Sequence, residues 1–261
     1  MLIHGLCLND LHWQTTTPDG NSGHEEALAA TLGFTPVYLR YNSDLHVSEN
    51  GHELSMQLEQ LAAHWPVAIE EISILANSMR GLLARNAVHC ADQAQLRWPR
   101  HLKNIVFLGT PHHGAPLERA GNWIDMLLGA TRYTAPFAQL VRLRSAGITD
   151  LRHGNLLDRD WHGHDRFQRQ TDNRQLVPLP EGIACYAVAA TTAAGPMRRA
   201  VLPGDGLVPL RSALGQHDDP RRRLMFIGGS QWIAYATGHL DLLKSPAVTQ
   251  QLLRWLAPVE A

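Results

Sequence analysis

A chain of 261 residues, 44% hydrophobic and 18% charged, is long enough to bury a large core and too apolar to be disordered. Its formal net charge of −1, without a basic block or Lys-rich tail, gives no footprint for nucleic acid or for an anionic membrane surface. No apolar run approaches the roughly 18 residues of a membrane span, so no integral membrane segment is expected.

Three cysteines, Cys7, Cys90 and Cys185, lie far apart without CxxC spacing; they do not form a disulfide framework, and buried thiols in a reducing compartment are expected. Met1-Leu2-Ile3 leads straight into His4-Gly5 with no basic n-region, so no signal peptide is expected. The cytoplasm is then the default compartment, with a longer precursor carrying its own signal as the alternative.

Along the chain, short β-type runs alternate with helical stretches. The runs are Leu2-Ile3, Val37-Tyr38-Leu39, 72–75, Ile105-Val106-Phe107-Leu108, 183–189 and Leu224-Met225-Phe226-Ile227. Helices are expected over 25–32, 53–64, 81–91 and 247–256; in the last, Val248, Leu252, Leu253 and Leu256 form one buried face. This pattern predicts an α/β fold: a mostly parallel sheet with helices on both faces. Residues 115–180 break the alternation with an apolar helical patch (Trp123, Ile124, Leu127, Leu128) and then an Arg- and His-rich stretch. So long an insertion reads as a cap or lid over the C-terminal edge of the sheet. The core is then 1–114 together with 181–261.

Between the third run and the helix after it stands Ala76-Asn77-Ser78-Met79-Arg80-Gly81. A serine on a strained strand-to-helix turn has its hydroxyl held out over the sheet, where it can act as a nucleophile. The usual Gly-x-Ser-x-Gly is altered at both glycines, to Ala76 and Arg80. Ala76 is small. Arg80 stands where a glycine permits close helix–strand packing, so its side chain is expected to escape toward solvent or pocket, or else to strain the elbow.

Three further pieces fall where acyl transfer needs them. His4-Gly5-Leu6 ends the first strand, where a backbone N–H (Leu6) can join that of Met79 in holding an oxyanion. Gly204-Asp205-Gly206-Leu207-Val208-Pro209 puts an acid in a turn after the fifth run, able to orient a histidine; a surface Asp-Gly turn is the plainer alternative. Gly238-His239-Leu240-Asp241 follows the last run and precedes the final helix, giving the order Ser78, Asp205, His239. With fifteen histidines in the chain, it is the order and the strand contexts, not the presence of a histidine, that carry weight.

These motifs, together with Leu108-Gly109-Thr110-Pro111-His112-His113-Gly114, resemble bacterial α/β-hydrolases of the lipase/esterase family, near the group related to GPI-inositol deacylases. The resemblance implies Ser78 as nucleophile, Asp205 as acid and His239 as base, with oxyanion donors at Leu6 and Met79. It makes His112 and His113 wall residues. Members of the family carry strands before the His-Gly strand, and this sequence has no residues for them, so a reduced sheet of about six strands is expected.

The function implied is serine-dependent carboxylic ester hydrolysis through an acyl-enzyme, on a small-molecule ester or lipid. Trp13, Arg80, Trp123 and Leu127 are candidate substrate contacts, although helix packing accounts equally well for Trp123 and Leu127, and a core position is the plainer reading of Trp13. Asp241 resembles a calcium ligand of some bacterial lipases, but a hard cation needs several oxygens and no second carboxylate stands out; no cofactor is expected. His162-Gly163-His164-Asp165 and His89-Cys90 lack spaced partners for a transition metal. An acyltransferase with the same triad and a non-catalytic binding protein of this fold are the other classes. Haloalkane or epoxide chemistry is disfavoured, because the elbow would then carry Asp.

Overall fold

The structure is a computed structural model and describes residues 1–3, 23–42, 45–115, 146–163, 172–196 and 203–258. Six strands form one sheet: β1 (Leu2–Ile3), β2 (Tyr38–Leu39), β3 (Ile72–Asn77), β4 (Leu102–Leu108), β5 (Ala184–Ala190) and β6 (Gln231–Ala234). All neighbours are parallel, in the order β2-β1-β3-β4-β5-β6. The described helices are α1 (His24–Leu32), α2 (Val47–His64), α3 (Arg80–Gln93), α4 (Ala146–His153), α5 (Asp158–Trp161), α6 (Leu210–Ala213) and α7 (Pro246–Leu256). None is long and apolar enough to cross a membrane.

The central strands show why both faces are covered. In β3 and β4, Ile74, Ala76, Ile105 and Phe107 pack against Leu54 and Leu58 of α2 and Leu83, Ala84 and Ala87 of α3. Their alternates Leu75, Val106 and Leu108 face Leu28 of α1 and Val248, Leu252 and Leu256 of α7. Side chains alternate across a strand, so apolar residues on both faces require two helical layers. From β1 the chain runs outward to β2 and then returns past β1 to β3. Strand order therefore reverses between β1 and β3, and in open α/β sheets the crevice beyond the carboxyl ends at such a point is where ligands bind.

Two sequence expectations shift. The run 224–227 is not a strand; β6 lies at Gln231–Ala234, beyond the Gly228-Gly229 turn. Met225 and Ile227 are 82% and 76% exposed, so their apolar character did not signal a sheet position. α2 begins at Val47, well before position 53, and its first turn is held by the Glu49 carboxylate accepting the His46 N–H at 2.9 Å. Gly51 in this added stretch lies where a Cβ would overlap the Asn86 side chain of α3, so the two helices meet closely there.

Part of the 115–180 segment is described, and it rests on the core. The buried Asp150 carboxylate of α4 accepts the Val47 N–H at 2.7 Å and the Asn155 amide at 3.0 Å. Its Oδ2 also meets His46 Nδ1 at 3.0 Å. Asn86 of α3 donates to the Leu156 carbonyl at 2.6 Å. The apolar patch at 123–128 lies outside the described residues.

His24 ties α1 to the C-terminal end of the fold. Its Nε2 donates to the Leu242 carbonyl at 2.8 Å, while Nδ1 faces the Thr249 hydroxyl at 2.8 Å. Burial lowers this histidine from 6.5 to about 4. A histidine that resists charging only when folded is stabilising above its unfolded value, and that stability drains as pH falls from about 6.5 to about 4. At about 1.4 kcal/mol per unit, the loss is on the order of 3 kcal/mol. Urea midpoints measured from neutral pH down to pH ~4.5 should fall in the native chain and fall less steeply in His24→Gln.

Candidate active site

Ser78 occupies the joint between β3 and α3 with φ +59°, a left-handed conformation that serine rarely adopts. Its N–H donates to the Leu108 carbonyl at 2.7 Å and its carbonyl accepts from Gly81 at 3.1 Å. The elbow is thus pinned to the end of β4 and to the first turn of α3. Such strain, of order 1–3 kcal/mol, persists only where surrounding packing over-determines it. Here that packing is the burial of Met79, Leu82, Leu83 and Ala84, none more than 2% exposed.

Close helix–strand approach is served one residue later than the sequence pattern suggests. A Cβ at Gly81 would overlap the Thr110 side chain and lie 2.8 Å from Phe107 Cδ1. Arg80, in the position usually held by glycine, is fully buried, with its guanidinium carbon 4.9 Å from the Tyr41 ring centroid. It does not escape to solvent, and a cation over an aromatic face is a favourable resting place.

Asp205 and His239 meet at the same end of the sheet. His239 Nδ1 lies 2.6 Å from Asp205 Oδ2, and both residues are buried. The other carboxylate oxygen accepts the N–H groups of Leu207 at 3.0 Å and Val208 at 2.8 Å. The His239 N–H donates to the Asp205 carbonyl at 3.1 Å, so the two loops are joined through the backbone as well. The turn around Asp205 needs its glycines: Gly206 has φ +97°, and a Cβ at Gly204 would overlap the Val208 carbonyl. Asp241 accepts the Gly238 N–H at 3.0 Å, which braces the loop that carries His239. Among the described residues no group of three or more His, Cys, Asp or Glu is placed to hold a metal ion.

Gly109 links the elbow to this pair. With φ +57°, it lies where a Cβ would be 3.2 Å from both Asp205 Oδ2 and His239 Cε1. It directly follows Leu108, whose carbonyl receives the Ser78 N–H. The sequence marks Gly109 only as part of a motif; its service as the space beside an acid–histidine pair appears once the fold is closed. In the same loop His113 approaches the Gly215 carbonyl through Nε2 at 3.2 Å, while its N–H donates to Ser212 Oγ at 3.1 Å. His112 is buried with its edge against Phe107. His112 Nδ1 also meets Arg85 Nη1 at 3.4 Å. Of the other candidates, Met79 sits at the start of α3, 2% exposed. Leu6, Trp13, Trp123 and Leu127 lie outside the described residues.

The chemistry available is that of a histidine fixed in one tautomer. A carboxylate facing Nδ1 places the ring proton there and leaves Nε2 as a base. Gly81→Ala tests the joint that supports Ser78: overlap with Thr110 should cost about 1–3 kcal/mol in urea denaturation. Adding Thr110→Ala removes the overlapping atoms and should recover part of that loss.

No protein-family model and no curated relative matches the sequence. Solved structures do match by shape. The Bacillus licheniformis lipase BlEst2 in mature form superposes with a TM-score of 0.58 at 17% identity, over 99% of this chain and 91% of that one. Its propeptide form gives 0.56 at 15% identity, covering 100% of this chain and 50% of the longer one. At such identity the likeness bears on architecture alone. Together with the six-stranded parallel sheet and its two helical layers, it shows that the chain has the α/β-hydrolase fold.

Proposed function

We propose that the protein is a serine carboxylic ester hydrolase, with Ser78 as nucleophile, His239 as general base and Asp205 as its orienting acid. The observation that carries the reading is the 2.6 Å contact of His239 Nδ1 with Asp205 Oδ2, set beside Gly109 at the sheet end where Ser78 turns. The fold shared with a bacterial lipase supports an ester as substrate. The finer kinship with GPI-inositol-deacylase-like hydrolases rests on the sequence motifs around His4, Ser78 and His112.

In the mechanism, His239 Nε2 takes the Ser78 proton as Oγ attacks the ester carbonyl carbon. The tetrahedral oxyanion is held by the N–H of Met79 and, in this reading, by that of Leu6. His239 returns the proton to the leaving alcohol, and a water activated by the same nitrogen then hydrolyses the acyl-enzyme. Asp205 keeps the imidazole in the productive tautomer and stabilises its transient charge. The steps use no cofactor. Residues 115–180 are read as a cap, with Trp123 and Leu127 and also Trp13 lining an acyl-chain site. Arg80, a candidate substrate contact from its place in the elbow, packs on Tyr41.

A fluorophosphonate probe should label Ser78 in the folded chain, and Ser78→Ala should lose both the label and p-nitrophenyl ester turnover. Retained turnover in purified Ser78→Ala would sink the assignment. A labelled Ser78 whose acyl group passes to added alcohols in preference to water would identify an acyltransferase instead.

Asp205→Asn keeps an oxygen for the Leu207 and Val208 amides but offers an NH2 to His239. Such a change selects the wrong tautomer, so kcat should fall by about 10⁴ with little change in thermal midpoint. A kcat within tenfold of the native value would remove Asp205 from the mechanism.

A further inference from the structure

A cleft of about 280 Å³ opens on the flank of α3, and none of Ser78, Asp205 or His239 lines it. Arg85 of α3 and His112 line it, with residues 174–178 and 221–224 around them. Its charge is one-sided. Among the described residues, five arginines (Arg85, Arg174, Arg221, Arg222 and Arg223) and one carboxylate, Asp160, line it. That carboxylate is already occupied: Oδ2 accepts from Leu156 and Leu157 at 2.9 Å, and Oδ1 accepts from Gln175 at 3.1 Å. Just outside, Asp172 pairs with Arg174 at 2.7 Å and Arg222 at 3.1 Å, and Asp219 pairs with Arg221 at 2.8 Å. These pairs, with Arg174 donating to the Gly154 carbonyl at 2.7 Å and Arg222 to the Arg174 carbonyl at 3.0 Å, fix the guanidinium groups of Arg174, Arg221 and Arg222.

Arg85 has no such partner among the described residues. It is 4% exposed, donates from one NH2 group to the Val177 carbonyl and from the other to His112 Nδ1 at 3.4 Å. A guanidinium only donates, so His112 Nδ1 must accept and the ring proton sits on Nε2. Arg85 Nε and His112 Nε2 are therefore two buried donors that meet no acceptor among the described residues. Burial lowers Arg85 only to about 10, so it remains a cation at neutral pH, while burial and Arg85 itself hold His112 neutral. A buried charge and two buried donors without acceptors are costly unless something fills the gap.

We propose that this cleft binds a small oxyanion, a phosphoryl or carboxylate group, which supplies the counter-charge to Arg85 and meets Arg174 and Arg222 at the walls. Arginine forks match the planar carboxylate and the phosphoryl oxygens alike. The loop 109–114 joins the two sites, with Gly109 against His239 and Asp205 at one end and His112 and His113 at the cleft. The anion site is separate from ester cleavage and stands whether or not Ser78 is the nucleophile.

The test titrates inorganic phosphate, and separately succinate, into the full chain by isothermal calorimetry near neutral pH, with ionic strength held constant by sodium chloride. Saturable one-site binding of at least one anion is expected, with a rise in thermal midpoint in the same buffer. Arg222→Gln should bind about tenfold more weakly, and a cooperatively melting Arg85→Met should not bind. If Arg85→Met does not fold, Arg222→Gln decides alone. Tighter phosphate than succinate assigns a phosphoryl group, and the reverse assigns a carboxylate. Absence of saturable binding for both anions, or unchanged binding in Arg222→Gln, overturns the proposal.

Discussion

Helix α3 starts so close to the end of β4 that position 81 has no room for even a methyl group beside Thr110. Much of the site follows from that approach. A strand that runs to Asn77 and a helix that begins at Arg80 leave two residues in which to reverse direction. Only a left-handed residue turns the chain so sharply, and Ser78 takes that conformation at φ +59°. The cost of the turn is borne by the apolar burial of the helix it opens, where Leu82 and Ala84 have no exposed surface. Because the Leu108 carbonyl holds the Ser78 N–H, the elbow and the end of β4 move as one piece.

That coupling places the Asp205–His239 pair. Gly109, one residue past Leu108, leaves the space in which the carboxylate and the imidazole lie. A buried carboxylate is tolerable only if both oxygens are met, and here backbone amides fill one while His239 fills the other. The amides do the work that water would do, and they do it from fixed positions, so the imidazole has one orientation. The glycines at 204 and 206 let five consecutive residues fold back tightly enough for the Leu207 and Val208 amides to reach the same oxygen.

Much of the architecture is legible in the sequence because period-2 and period-3.6 patterns are strong where an element has one or two buried faces. β3, β4 and α7 are such cases. β6 is not: Gln231-Trp232-Ile233-Ala234 is a short edge strand that opens on an exposed glutamine, and the more hydrophobic 224–227 run outcompetes it as a pattern although Met225 and Ile227 lie in solvent. The start of α2 is hidden for a different reason. Ser48, Asn50 and Gly51 are buried there by contact with neighbouring elements, so polarity no longer tracks exposure. At the site, the positions that come to one end of the sheet can be read from strand endings, but the distances between them cannot. Arg80 shows the limit most clearly. A motif can say that glycine is usual at that position, but only packing shows that Gly81 takes over the close approach and that Arg80 lies buried on Tyr41.

α3 itself explains why a core helix tolerates such residues. Residues 80–88 are all buried, and a helix covered on every side would ordinarily be apolar all round. This one carries Arg80, Arg85 and Asn86, and each is aimed at a different piece of chain. Arg80 lies on Tyr41 ahead of α2, Asn86 holds the Leu156 carbonyl, and Arg85 reaches both the Val177 carbonyl and His112. Leucines of similar volume would fill the space at lower electrostatic cost, but they would leave the docked segments free to slide. Polar contacts have one register. The helix that forces Ser78 into its turn therefore also fixes where residues 156 and 177 rest, and a ligand that compensates Arg85 would act on the same helix that follows Ser78.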